Sequence, residues 1–383
     1  MSRSAYIVTA VRTPVGVGKP GKGALYPVAP VDLAAQVLNE ALLPTGLQPA
    51  VLDDVILGCV TPIGDQGANI GRLSALQAGF PVEVPGIQIN RMCGSGQQAV
   101  HFAAQAILAG DMDIILAGGI EMMSHQPLGS DWPEHWPTDF PYDLIHQGLS
   151  AELMAEKWSL KREALDDYAF QSHLRAAAAI RDGRQDRQIT PVHILKKEGE
   201  ENLVQHDEGV RMEPDREKMR SLPPVFKEDG VITAANSSQI SDGAAALLVA
   251  SEEAIKEYNL TPMVRIVARA VVGSDPVLML DAPIPATRKV LKMAGLQLDQ
   301  IDLIELNEAF ASVVLAWMHE IRPDPAIVNP DGGAIAHGHP LGATGAVLMT
   351  KLVHEMDYYE ARVGLQTMCI GHGMATATIL ERV

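Results

Sequence analysis

The sequence predicts an α/β fold made of two duplicated halves, with a third segment inserted into the first, and three observations carry that prediction. Short apolar strands such as Ile114 to Ala117 and Val363 to Leu365 alternate with stretches of helical periodicity, the pattern of sheets covered by helices. A single offset of 249 residues pairs Gly46-Leu47-Gln48 with Gly295-Leu296-Gln297, Asp53 with Asp302, Gly96 with Gly345 and Leu116 with Leu365. Between these repeats, from about Ile120 to Ser238, the chain changes character, running through Trp132, Pro133, Trp136, Pro137 and Pro141 into a helical stretch and then charged loops.

Taken in order, Ala5 to Val8 reads as a strand, Asp32 to about Leu43 as a helix and Val55 to Leu57 as the next strand. Ile87 and Ile89 alternate with Gln88 and Asn90 as a strand end, and Val100, Ala103, Ala104, Ile107 and Leu108 recur at helical spacing after it. One helix is expected from about Glu152 to Arg181. The first half resumes at Asp242 to Val249 and closes with a helix from Ser251, whose Ser-Glu-Glu start resembles a cap. The second half follows with a helix at about Ala286 to Met293 and a strand over Ile301 to Leu306. The expected division is 1–119 with 239–261 for the first half, 120–238 for the insertion and 262–383 for the second half.

The 383 residues suffice for two or three domains, and 47% hydrophobic content fills their cores. A formal net charge of -17 speaks against a nucleic-acid surface while leaving room for a local basic pocket. Fourteen of the 30 Lys and Arg lie between Lys157 and Lys227, the place to look for a phosphate-bearing ligand. Cys59, Cys93 and Cys369 are too scattered for a disulfide framework or a zinc site, so a reduced, cytoplasmic setting is expected. No signal segment and no uninterrupted apolar run of membrane-spanning length is read, so no membrane span is expected.

Chemistry concentrates in four stretches. Asn90-Arg91-Met92-Cys93-Gly94-Ser95-Gly96 puts a lone thiol where a strand gives way to a helix. Free amides and the helix dipole there favour the nucleophilic thiolate, and the glycines leave room for a substrate, although a buried structural cysteine is the plain alternative. Gly332 to Gly345 holds His337 and His339 in a glycine-dense loop with neither Walker nor dinucleotide spacing, where a histidine could serve a thiol as base or simply occupy a turn. Cys369-Ile370-Gly371-His372-Gly373 places a second cysteine on a glycine turn, able to meet the first if the halves pack face to face. Asn307-Glu308-Ala309-Phe310 follows a strand, where Asn307 could steady an oxyanion or cap a helix.

Together with Thr233 to Ser238 and Asp242-Gly243-Ala244, these four stretches, in this order, resemble the thiolase family over essentially the whole chain. The resemblance implies a thiolase fold: a five-layered α/β/α/β/α core, the insertion as a loop domain covering coenzyme A, and a homodimer or homotetramer. It implies an acetyl-CoA C-acyltransferase that cleaves 3-ketoacyl-CoA with coenzyme A, reversible as a Claisen condensation. Cys93 would be the acylated nucleophile, His339 its base and Cys369 the acid/base at the α-carbon. Asn307, through a water, and His339 would form one oxyanion hole, the amides of Cys93 and Gly371 the other. Ser238, Phe226, Met279, Ala309, Phe310 and His146 would line the substrate and coenzyme A site. Coenzyme A and acyl-CoA would be substrates, with no further cofactor or metal and with an enzyme of β-oxidation as a possible partner.

This sequence also departs from the family pattern. Gln147 replaces a common Met, Leu222-Pro223-Pro224 lacks a common Arg, His337 stands where an apolar residue is usual, and the stretch around Trp132 is unlike the usual tetramerisation loop. The wording around Ser238, Cys93 and Ala311 leans toward members that take bulky or ring-derived acyl groups. A short-chain acetoacetyl-CoA-forming enzyme and a non-catalytic acyl-CoA or lipid-binding protein are the alternatives, and the four chemical residues argue against the second.

Overall fold

The computed structural model describes residues 3–195 and 201–383. The first half runs through β1 (Ala5–Arg12), the two-residue β2 (Gly16–Val17), α1 (Pro30–Leu42), β3 (Asp54–Gly58), α2 (Ile70–Gln77), β4 (Ile87–Ile89), α3 (Ser95–Ala109) and β5 (Ile114–Met122). An insertion follows with α4 (Gln147–Lys157), α5 (Arg162–Arg181), the hairpin β6 (Val192–Leu195) and β7 (Glu201–Val204), and α6 (Arg216–Arg220). The chain then returns as β8 (Ser241–Ser251) and α7 (Glu252–Glu257). The second half is β9 (Val264–Gly273), α8 (Pro283–Ala294), β10 (Leu303–Leu306), α9 (Ala311–Ile321), α10 (Ala334–His337), α11 (Leu341–Tyr358), β11 (Val363–Ile370) and β12 (Met374–Arg382).

The main sheet has the order β10-β11-β12-β9-β1-β8-β5-β3-β4, with β2 beside β8. Its two parts meet at β1 and β9 through only two residue pairs, Tyr6 with Arg265 and Ile7 with Val264. Helices α3 and α11 lie between the parts, packing Ala99, Val100, Ala346 and Val347 against strands of both. Helix α1 covers the outer face of the first part and α8 with α9 that of the second, which makes five layers. Strands β5 and β8 are buried along their whole lengths, which is why they read as near-continuous apolar runs rather than as alternating ones.

The offset of 249 is visible in atomic detail. The Asp53 carboxylate accepts hydrogen bonds from the amides of Asp113 and Ile114, and the Asp302 carboxylate accepts them from Arg362 and Val363. Gly46 and Gly295 both end a helical segment in the left-handed conformation, at φ 67° and 68°. The parallel pairs Asp54–Ile115 and Leu303–Gly364 sit at the same offset.

The expected single helix over 152–181 is two helices, because Ser159 takes a φ of 52° and the chain turns before α5 starts at Arg162. The glycine-dense stretch expected as a loop is partly helical, holding α10 and the start of α11. Packing of α11 in the middle layer overrides the local glycine content. No helix among the described residues is long and apolar enough to cross a membrane.

Candidate active site

The four stretches meet where β10 and β11 end and where α3 and α11 begin. Cys93 lies two residues before the first residue of α3, after Met92 at a φ of 47°, and is buried with Leu341, Met368 and Ile370 around it. Two amide hydrogens, those of Gly371 and of Cys93 itself, favour its thiolate, yet burial outweighs them and pushes the thiol up to about 11. The expectation of a thiol lowered by its helix end is therefore reversed, since desolvation of the anion exceeds what two amides return. Iodoacetamide should accordingly alkylate Cys93 in the substrate-free protein about tenfold faster per pH unit between about pH 6 and 9. A plateau in that rate below about pH 8, followed by mass spectrometry of the Cys93 peptide, would contradict the neutral resting thiol.

His339 is buried and burial drives it down to about 4, so its imidazole is neutral at physiological pH. Its tautomer follows from its neighbours. The Thr344 hydroxyl donates to the Pro340 carbonyl at 2.8 Å, so toward the ring it can only accept, and His339 Nδ1, 2.6 Å away, carries the hydrogen. Nε2 keeps its lone pair and lies 3.4 Å from Asn307 Nδ2. The Asn307 side-chain oxygen is buried with no hydrogen-bond partner among the described residues, a site suited to a bound water or substrate group. Asn307 caps no helix, because α9 begins at Ala311 with Phe310 as its N-cap. Its backbone amide donates to Thr367, two residues before Cys369.

Cys369 is buried near the end of β11, and burial together with the neighbouring Cys93 raises its pKa far above the ordinary range. The two thiols thus face each other electrostatically across the junction of the halves. At rest the centre is neutral, with two protonated thiols and one imidazole lone pair among them.

Beside Cys369, Met279, Ala309, Phe310 and Phe226 gather in one apolar cluster. His146 caps α4, its Nδ1 accepting from the Gly148 amide at 3.1 Å, and its ring stacks on Phe226 with centroids 5.0 Å apart. Ser238 is half-buried and its amide donates to the Ala309 carbonyl. From Ala234, Ala235 and Gln239 a cavity of about 380 Å³ extends into the insertion, walled by Arg211, Lys218, Met219 and Leu222. Neither Arg211 nor Lys218 forms an ion pair among the described residues. Lys196 and Lys197, within the basic stretch singled out from the sequence, lie outside the described residues.

Three positioning groups were not singled out from the sequence. Thr344 sets the His339 tautomer. Glu121 accepts from the amides of Val60, Thr61 and Gly342, tying the start of α11 to the first half. Glu308 accepts from the Tyr168 and Ser172 hydroxyls, the Asn329 amide group and the Ile335 amide, fastening α5 to the histidine-bearing segment. A buried acid inside an otherwise small and apolar run is the sequence signal that marks both glutamates.

Against known proteins, the thiolase N-terminal domain matches residues 5–253 and the thiolase C-terminal domain residues 260–382. A steroid 3-ketoacyl-CoA thiolase of Mycobacterium tuberculosis is 49% identical over 99% of this chain and 94% of its own. A 3-oxoadipyl-CoA/3-oxo-5,6-dehydrosuberyl-CoA thiolase of Escherichia coli is 44% identical over the full length of both. The crystal structure of the Bacillus anthracis acetyl-CoA acetyltransferase superposes with a TM-score of 0.92 at 38% identity, covering 100% of this chain and 99% of that one.

Proposed function

The chain belongs to the thiolase family of acyltransferases, and from that premise we propose that it cleaves 3-ketoacyl-CoA with coenzyme A through an acyl group carried on Cys93. The observation that carries this reading is the neutral centre in which a His339 lone pair, an Asn307 amide and two buried thiols adjoin. As Cys93 sulfur attacks the 3-keto carbon, His339 Nε2 takes its proton, and the amides of Cys93 and Gly371 receive the negative charge of the tetrahedral oxygen. The bond between C2 and C3 then breaks. The departing enolate of acetyl-CoA, held by Asn307 through a water and by His339, takes the proton of Cys369 at its α-carbon.

In the second half-reaction the Cys369 thiolate takes the proton of coenzyme A, whose sulfur attacks the acyl-Cys93 thioester. Cys93 leaves and recovers its proton from His339. Protons and thioester bonds balance over the cycle, which calls on no metal or redox group. Run backward, the same steps form a carbon-carbon bond.

The pantetheine arm would pass Ser238, Phe226, Met279, Ala309, Phe310 and His146. The nucleotide would occupy the cavity at Arg211 and Lys218, two cations without an ion pair among the described residues that suit its phosphates although Glu213 and Asp215 share the lining. The exposed Ile87 on β4, an end strand that pairs only β3 and leaves its other edge open among the described residues, supports a homo-oligomer formed across that edge. Three unpaired cysteines fit a reducing, cytoplasmic setting and a place beside other enzymes of β-oxidation.

The test is coenzyme-A-dependent release of acetyl-CoA from acetoacetyl-CoA and from longer 3-ketoacyl-CoAs. Turnover on at least one of them is expected. Folded protein that turns over none would overturn the reading.

A further inference from the structure

We propose that Glu305, Glu355 and Lys351 form a buried clamp of two carboxyls, one shared proton and one ammonium, and that this clamp positions Asn307 for the enolate step. The proposal rests on the acyl-Cys93 reading above and assigns the residues that aim one of its groups. Lys351 and Glu305 are wholly buried and Glu355 nearly so, and none of the three takes part in the reaction steps.

The clamp joins three parts of the second half. Glu305 lies on β10, two residues before Asn307. Lys351 and Glu355 stand one turn apart on α11, the helix that begins just after His339. Lys351 Nζ donates to the two Glu305 oxygens at 3.3 and 3.2 Å and to the Gly332 carbonyl at 2.6 Å, just ahead of α10. All three hydrogens of the ammonium are thereby directed. Asn329 completes the grip on β10, its side chain accepting from the Leu306 amide at 2.8 Å and donating to the Leu306 carbonyl at 2.9 Å.

Charge balance calls for the proton. Neither Glu355 oxygen has a hydrogen-bond donor among the described residues, and Lys351 Nζ stands 3.7 Å away, beyond hydrogen-bond reach. A carboxylate ionised in that place would lose its water and gain no donor in return. Burial and the Glu305 charge push Glu355 well above the usual carboxylate range, and the two side chains are hydrogen-bonded, so Glu355 keeps its proton and donates it to Glu305. Burial opposes the Lys351 charge, but Glu305 outweighs it and holds the ammonium.

Among the described residues the other charged neighbours are already engaged. Asp331 pairs with Arg184, and Asp207 with Arg12. Arg175 donates to the carbonyls of Val328 and Asn329, and Glu308 accepts from Tyr168, Ser172, Asn329 and Ile335. Burial first, and the Lys351 charge second, keep His337 neutral.

Buried ion pairs often return no more stability than apolar side chains of the same volume, because both charges give up their water. What the charges add here is direction. An ammonium with three fixed acceptors admits one placement of β10 against α11, whereas an apolar contact would let the strand slide. Asn307 Nδ2 lies 3.4 Å from His339 Nε2, where the enolate oxygen would be held. A displacement of about 1 Å there can cost up to about 100-fold in rate.

Three variants test the clamp: Glu355→Gln, Lys351→Met, and the double variant Lys351→Met/Glu305→Gln. The double variant leaves no unpaired charge in the interior, so it carries the test where Lys351→Met alone fails to fold. Infrared spectra of the wild type at about pH 8, where exposed carboxyls are ionised, should contain the carbonyl band of a protonated acid that Glu355→Gln removes. Glu355→Gln, still neutral and still a donor, should cleave 3-ketoacyl-CoA within about twofold of the wild-type rate. The double variant should cleave about tenfold more slowly at unchanged KM, while acylation of Cys93 by acetyl-CoA, which forms no enolate, keeps its rate. An acid band that survives in Glu355→Gln, or a double variant that cleaves as fast as wild type, overturns the clamp. So does an equal loss of acylation and cleavage, since the charges would then serve the fold at large. Wild type that turns over no 3-ketoacyl-CoA overturns the thiolase reading instead, whatever the infrared result.

Discussion

Cys93→Ala is expected to form no acyl-enzyme with acetyl-CoA, whereas Cys369→Ala should still take up one acyl group and lose carbon-carbon cleavage. The two thiols are neighbours in space but differ in surroundings. Cys93 stands at the start of α3 with two amides directed at its sulfur, while Cys369 lies in the apolar cluster with Phe310 and Met279, where the α-carbon of acetyl-CoA would be placed. Removing a nucleophile costs about 10⁴-fold or more in kcat, and removing a general acid about 10²- to 10⁴-fold. Intact-mass measurement after incubation with acetyl-CoA separates the two roles, because acylation needs only the first. Label retained by the Cys93 variant, or missing from the Cys369 variant, would reverse the assignment.

The second large effect is structural. Gly345→Ala should lower stability by about 1–3 kcal/mol or prevent folding, although alanine is the better helix former by about 1 kcal/mol. A Cβ at Gly345 would overlap the Gln97 backbone nitrogen, and one at Gly96, its counterpart 249 residues earlier, would lie 2.7 Å from the Ala346 nitrogen. Backbone meets backbone where α3 crosses α11, so no rotamer change relieves the overlap and the helices must separate. That separation would also shift Cys93 relative to His339. Gly295→Ala, at a helix end with open space around it, serves as the contrast, since it meets only the milder strain of a left-handed φ. Urea unfolding of both variants is the check. A Gly345→Ala protein as stable and as active as wild type would show that the crossing tolerates a side chain.

Much of this architecture was legible in the chain because it rests on local rules. The 249-residue offset found in scattered glycines and aspartates is the offset at which Asp53 and Asp302 bind paired amides. The strand-to-helix turn at Cys93 was marked by an alternation that gives way to helical spacing. What was not legible depends on residues distant in sequence. The resting protonation of Cys93 is set by burial under Leu341, Met368 and Ile370, which belong to the other half. The His339 tautomer needs α11 to start at Leu341, which the glycine content around it obscured. The break between α4 and α5 turns on a positive φ at Ser159, a residue type that gives little warning of one.

The shared middle layer carries a consequence for how the protein is made. Val100, Ala103, Ala104 and Ile107 on α3 are covered in part by Ala346, Val347 and Met349 on α11, some 249 residues later in the chain. At ribosomal speeds of about 5 to 20 residues per second, that cover arrives roughly 10 to 50 s after α3 has emerged. Throughout that interval the nascent first half presents a wide apolar face with no partner of its own. A face of that kind, left open on a partly made chain, is the surface on which nascent chains associate wrongly, so the sequence distance between α3 and α11 makes synthesis the stage most exposed to aggregation.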